Sequence, residues 1–305
     1  MPDGTARVLR MIGLRAILLF LIFLLPSVAY AKNTVVHTGA NVYSKTELRW
    51  KKAIQSASFD STTWIWNLGE RDRKHRNGSR DTILMVPAST IPDHLTVIVW
   101  FHGCNGFSQK TFSKRVVPQI EGLVEGRHSI AIAIPEMPWS TNTSTTCKRQ
   151  GRVWTKSGEL TRYVDSLKRR LEGWAINSHG VKLGSVRLVF VGHSAGGSAL
   201  MAAAKEGSLC SLSPDAVVWS DASYGGWLDI AWKRCLKDTD IEVHILVRKW
   251  DKPHKNAQRV VKKIKKSKKS STGPVFYHVL DRKVWSHGNI GDSVFDLTNI
   301  FPPGC

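Results

Sequence analysis

One junction constrains the chain more than any other segment: a glycine-framed serine set between a strand-like run and a helix-like one. The run Val186-Arg187-Leu188-Val189-Phe190-Val191 is β-rich, and Ser198-Ala199-Leu200-Met201-Ala202-Ala203-Ala204 carries small helix-forming residues. Between them lies Gly192-His193-Ser194-Ala195-Gly196-Gly197. A strand turns into a helix this abruptly only if the serine accepts a strained backbone and the residues two away on either side lack a Cβ. The turn leaves the serine hydroxyl at its tip and aims the next N–H, that of Ala195, at a reacting carbonyl oxygen. Ser194 is therefore the candidate nucleophile. The bland alternative is a Gly-rich turn packed for its own sake.

The surrounding pattern predicts the fold class. Strand-like runs at residues 83–86, 95–101, 130–134, 186–191, 216–219, 241–247 and 275–280 are short and nearly all apolar. Helix-length segments separate the later ones, and Leu160, Tyr163, Val164, Leu167, Leu171 and Trp174 recur at helical spacing. Continuous apolar strands alternating with helices describe an α/β fold, a doubly wound and mostly parallel sheet buried on both faces. Sites in such sheets lie at the carboxyl ends of the strands. No long insertion follows the elbow strand, so no large lid domain is expected there. Residues 32–80 are polar and Trp-punctuated without clear alternation, and read as an N-terminal extension packed on a domain covering residues 81–305.

A serine hydroxyl needs a base to take its proton and an acid to orient that base. Of eleven histidines, His287 stands out, in the glycine-flanked loop Ser286-His287-Gly288 that follows the last strand-like run. His193 sits inside the elbow and is expected to point away from the hydroxyl, while His278 lies within a strand. Asp251, after the penultimate strand, is the preferred acid, and Asp221, which ends residues 216–220, is the alternative; both keep the order Ser, Asp, His. The bland reading of Asp251 is a helix N-cap beside Pro253. The second half of an oxyanion hole is sought after the early strand, in Phe101-His102-Gly103-Cys104-Asn105-Gly106, where Cys104, or alternatively Asn105, offers an amide to complement that of Ala195.

With these residues in hand, the chain resembles the α/β-hydrolase superfamily over roughly residues 80–300. The strings Phe101-His102-Gly103-Cys104 and Gly192-His193-Ser194-Ala195-Gly196-Gly197 look like the secreted polyhydroxybutyrate-depolymerase and feruloyl-esterase branch. That resemblance implies serine-based hydrolysis of a small or polymeric carboxylic ester through an acyl-enzyme, with no cofactor. The same machinery suits an amidase or peptidase acting on wall peptides. A reading of another class is a non-catalytic surface protein that binds polyanions.

The N-terminus speaks to location. Arg7, Arg10 and Arg15 precede an apolar core at residues 16–25, then Pro26 and the small-residue site Ala29-Tyr30-Ala31. This is the pattern of a cleaved signal peptide over residues 1–31, its core short of the roughly 20 residues needed to span a bilayer. Secretion or a periplasmic location is expected, where disulfides form. Five cysteines follow, Cys104, Cys147, Cys210, Cys235 and Cys305; the sequence-near pairs are Cys210 with Cys235 and Cys104 with Cys147. An odd count leaves one thiol over. No metal-ligand spacing occurs, so no metal is expected. The formal net charge is +20, to which the leader contributes only +2. The basic clusters, Arg71, Arg73, Lys74, Arg76 and Arg80 and then Lys262, Lys263, Lys265, Lys266, Lys268 and Lys269, suit either a solvated surface or an anionic cell-envelope polymer. No nucleic-acid module accompanies them, and nucleic acid is not the expected partner.

Overall fold

The computed structural model describes residues 35–38, 61–67, 81–87, 93–104, 130–135, 150–266, 273–288 and 290. These belong to one compact unit, Asn33–Cys305; residues 1–31, Asn105, Cys147, Lys268, Lys269 and Cys305 lie outside the described residues. The strands are β1 (Val35–Thr38), β2 (Ser61–Asn67), β3 (Asp81–Pro87), β4 (His94–Phe101), β5 (Ile130–Pro135), β6 (Ser185–His193), β7 (Ala216–Ser220), β8 (Glu242–Arg248) and β9 (Val275–Leu280). The longer helices are α1 (Glu159–His179), α2 (Gly197–Glu206), α3 (Trp227–Arg234) and α4 (Lys252–Lys266).

All nine strands form one sheet in the order β1-β2-β3-β5-β4-β6-β7-β8-β9. The six from β5 to β9 along that order run parallel. β3 is antiparallel to both of its neighbours. The apolar runs explain why. Val99, Phe190, Val217 and Ile245 point to one face and join a core with Leu167 and Trp174 of α1, Ala199 and Ala203 of α2, Leu228 of α3 and Val260 of α4. Ile98, Val189, Val191, Val218 and Leu246 on the other face are equally withdrawn from water. A strand buried on both sides has no polar alternation to show, and the parallel α/β fold class read from the sequence is the fold observed.

Two segments of the N-terminal extension continue the sheet instead of only packing on it. β2 pairs with β3 in the register Thr63 opposite Met85 and Trp64 opposite Leu84. Its sequence, Ser-Thr-Thr-Trp-Ile-Trp-Asn, has β-branched and aromatic residues but no period-two pattern. Such a strand is specified by its cross-strand partners more than by its own periodicity.

Between β6 and β7, residues 194–215 are described throughout and hold only a three-residue turn, α2 and the helical turn Ser208–Ser211. No lid is inserted there. A disulfide joins Cys210 to Cys235, whose Cα atoms are 5.8 Å apart, tying the region after α2 to the end of α3. Cys104 is also disulfide-bonded.

The elbow itself is packed to contact. A Cβ on Gly192 would lie 2.7 Å from Leu200 Cδ1, and one on Gly196 would strike the backbone carbonyl of Phe101. Gly173, on α1, has only the flexible end of Asn177 within 4.0 Å of its notional Cβ. Gly196→Ala is expected to destabilise the fold by about 1–3 kcal/mol because backbone must shift. Gly173→Ala should stabilise by about 0.5–1 kcal/mol through helix propensity. Urea unfolding midpoints of the two variants check the opposite signs.

Candidate active site

The elbow sets the position of the reacting group. Ser194 has φ 51°, in the left-handed region that costs a non-glycine residue strain, and it is buried. Ser194 starts the three-residue 3-10 turn Ser194–Gly196, so Ala195 presents one of the first N–H groups of a helical segment, which have no intrahelical acceptor. The positive end of the following α2 points the same way.

His287 comes from the loop after β9. Its Nε2 is 2.8 Å from Ser194 Oγ and its Nδ1 is 2.6 Å from Asp221 Oδ2. A carboxylate only accepts, so Nδ1 carries the proton and Nε2 is left with a lone pair facing the serine hydroxyl. Asp221 directly follows β7 with φ 46°, and its N–H donates to Leu246 O at 2.8 Å. The side chain is wholly buried. The structure thus brings together Ser194, His287 and Asp221.

The preference for Asp251 as the acid beside His287 is corrected by this geometry. Asp251 sits just before α4, where its carbonyl accepts from Lys255 N at 3.1 Å. Its carboxylate is engaged by Arg248 and lies 3.7 Å from Arg282 Nε. Arg248 also donates from Nε to Asp221 Oδ2 at 3.2 Å. The guanidinium therefore stands between the two aspartates and holds Asp251 one step away from the imidazole. Being at a strand end is a property both aspartates share; facing the histidine is not.

Three residues outside the original candidates complete the site. The His193 ring is in use: its Nε2 donates to the carbonyl of His287 at 2.9 Å. Its other side meets Gly103, where an added Cβ would approach both His193 Nδ1 and Ser194 Cβ to 3.1 Å. His102 is buried and donates from Nδ1 to Gly103 O at 2.7 Å. Burial holds its imidazole down to about 4, against the opposing pull of that carbonyl, so the ring is neutral at physiological pH. In a trans peptide the N–H points opposite to the C=O, so tying back Gly103 O also sets the direction of the Cys104 amide. Tyr224, in the loop after Asp221, sets its ring perpendicular to that of His287 at 6.3 Å. In the sequence only its closeness to Asp221 hinted at this.

The histidine loop is anchored independently of the triad geometry. Ile290 is fully buried, its N–H donates to Ser286 O at 3.0 Å, and Ser220 Oγ donates to its carbonyl at 3.3 Å. Among the described residues, no three His, Cys, Asp or Glu side chains are placed to share a metal ion. Nor is any described helix long and apolar enough to cross a membrane.

No family model matches the chain, and no curated protein matches it by sequence. Solved structures do. A thermostable esterase is similar at 16% identity and TM-score 0.47, over 78% of this chain and 60% of that one, so the chain spans less than two thirds of that esterase. Esterase B from Lactobacillus rhamnosis is similar at 11% identity and TM-score 0.45, over 85% and 88% of the two chains. The enterobactin and salmochelin hydrolase IroE is similar at 13% identity and TM-score 0.48, over 80% and 96%.

The site geometry makes the two aspartates separable. Labelling of Ser194 by a fluorophosphonate should slow by a factor on the order of 10⁴ in Asp221→Asn, since the imidazole loses its tautomer and its counter-charge. Asp251→Asn should slow far less, because its carboxylate reaches His287 only through Arg248 and Asp221. Labelling rates by mass spectrometry decide the ranking.

Proposed function

We propose that this chain is a serine hydrolase that cleaves carboxylic esters through an acyl-enzyme on Ser194. The observation that carries the reading is the continuous hydrogen-bond chain Ser194–His287–Asp221, at 2.8 and 2.6 Å, on the carboxyl ends of parallel strands. In this reading His287 accepts the Ser194 proton as Oγ attacks the ester carbonyl carbon. The negative charge moves to the carbonyl oxygen, where the amides of Ala195 and Cys104 receive it. His287 returns the proton to the departing alcohol, and the acyl-enzyme forms. Water repeats the cycle, giving its proton to His287 and releasing the acid. Asp221 keeps the imidazole in its Nδ1–H tautomer and stabilises the imidazolium of each step. Each of these steps uses only side chains and amides of the chain.

The chemistry is proposed to operate outside the cytoplasm. The leader over residues 1–31 and the Cys210–Cys235 disulfide both suit an exported protein. The proposed partner, besides the ester, is an anionic polymer of the cell envelope. α4 supports this reading: its buried residues Pro253, Ala257, Val260 and Val261 line one side. Lys252, Lys255, Arg259, Lys262, Lys265 and Lys266 are exposed, and the helix contains no acidic residue. Lys263 is ion-paired with Asp229 at 3.0 Å.

Two experiments test these readings. Purified Ser194→Ala should fold normally and lose turnover of a short p-nitrophenyl ester, by on the order of 10⁶ if serine-protease precedent holds. Retained turnover sinks the assignment. Sedimentation with anionic vesicles or wall material should weaken steeply with salt, as the Debye length shrinks from roughly 10 Å at 0.1 M to about 3 Å at 1 M. Replacing Lys262, Lys263, Lys265, Lys266, Lys268 and Lys269 by Gln should remove most of that binding while neutral-ester turnover survives.

A further inference from the structure

Tyr224 stands beside the catalytic histidine of the mechanism above, which gives its side chain no task. It lies in the short loop between β7 and α3, three residues beyond Asp221. The loop is pinned by Tyr224 N–H donating to Ala222 O at 2.9 Å and Trp227 N–H donating to Tyr224 O at 3.1 Å. The ring is half-buried and boxed between two perpendicular neighbours. His287 lies at 6.3 Å and 89°, and Trp227 at 5.9 Å and 64°. That packing sets the phenol ring beside the imidazole whose Nε2 meets Ser194 Oγ at 2.8 Å.

Strand order says which side of the reaction this donor serves. β6 lies between β4 and β7. The loop carrying Gly103 and Cys104 comes off β4 and abuts Ser194 on one side. Asp221 and Tyr224 come off β7 on the other side, where His287 also stands. An oxyanion held by the Ala195 and Cys104 amides faces the β4 side. A leaving group must instead face His287 Nε2 to collect its proton, which places its oxygen on the Tyr224 side.

We propose that Tyr224 is a catalytic residue whose hydroxyl donates a hydrogen bond to the leaving-group oxygen, beside His287. The inference rests on the ester-hydrolase reading above. The phenol donates to the ester oxygen as the C–O bond breaks and negative charge gathers there. The proton that ends on the alcohol is the one His287 took from Ser194. Tyr224 keeps its own, so the step balances with no further reagent. Burial first, and the Asp221 carboxylate second, push the phenol up to about 12, so it remains a donor throughout the working pH range.

Such a donor matters in proportion to the charge on the departing oxygen. An ethyl ester expels a basic alkoxide and needs it; a p-nitrophenyl ester expels a stabilised phenolate and needs it little. Tyr224→Phe keeps the ring that packs on Trp227 and His287 and removes only the hydroxyl. The ratio of kcat/KM for the p-nitrophenyl ester over the ethyl ester of one acid should rise about 10- to 100-fold in the variant. A ratio from one preparation does not depend on the fraction folded, and fluorophosphonate labelling counts intact nucleophiles. An unchanged ratio, whether both rates fall together or neither falls, overturns the role of Tyr224. If the unsubstituted chain turns over neither ester, the ester-hydrolase reading fails and this inference with it. If Ser194→Ala abolishes both activities while the Tyr224→Phe ratio stays flat, only the inference fails.

Discussion

The close approach of backbone at the elbow is the constraint on which the rest of the site depends. Gly196 lies against the carbonyl of Phe101 at the end of β4, and Gly197 lies against the carbonyl and Cβ of Ala222 after β7. The elbow of β6 is thus wedged between the end of β4 and the first turn after β7. Neither contact leaves room for a methyl group. The wedge sets the distance from Ser194 to the Gly103–Cys104 amide on one flank and to the Asp221–Tyr224 loop on the other. The positive φ of Ser194 is sustained by this packing, which over-determines the backbone there.

Histidines do three separate jobs around that serine, and burial with partner geometry sorts them. His102 is sealed from water and neutral, and acts as a strut for the Gly103 carbonyl. His193, half-buried, spans from the elbow to the backbone of the His287 loop. His287 alone has both ring nitrogens on the reacting chain, with an acid on Nδ1 and the hydroxyl on Nε2. The strut and the span hold the peptides on which the third depends.

Arg248 is the electrostatic hinge of the acid side. It puts positive charge on the same oxygen of Asp221 that receives His287, while Asp251 takes the rest of the guanidinium. A buried aspartate shared between an imidazole and a guanidinium is held from two directions, and Arg248 supplies the countercharge that its carboxylate needs away from water. Asp251 thereby acts on Asp221's environment without meeting the imidazole. A second aspartate at a strand end has a reason to be there that is distinct from orienting the base.

The parallel sheet, the elbow and the candidate base were legible in the sequence because each is a local signal. Continuous apolar runs name strands buried on both faces, the Gly192-His193-Ser194-Ala195-Gly196 spacing is itself the turn, and His287 stands in a glycine-flanked loop past the last strand. Tertiary structure decided what depends on direction across strands. Asp221 and Asp251 are equivalent as strings, two acids at strand ends between Ser194 and His287. Only the lateral placement of β7, β8 and β9 and the reach of Arg248 decide which one meets Nδ1. β2 was hidden for a related reason: its pairing with β3 lies in its partner's register and not in any alternation of its own. Tyr224 and His193 were invisible as site residues because their roles are contacts across loops from different strands. Sequence spacing encodes what a segment does to itself; which side chain faces which across a sheet is set by packing.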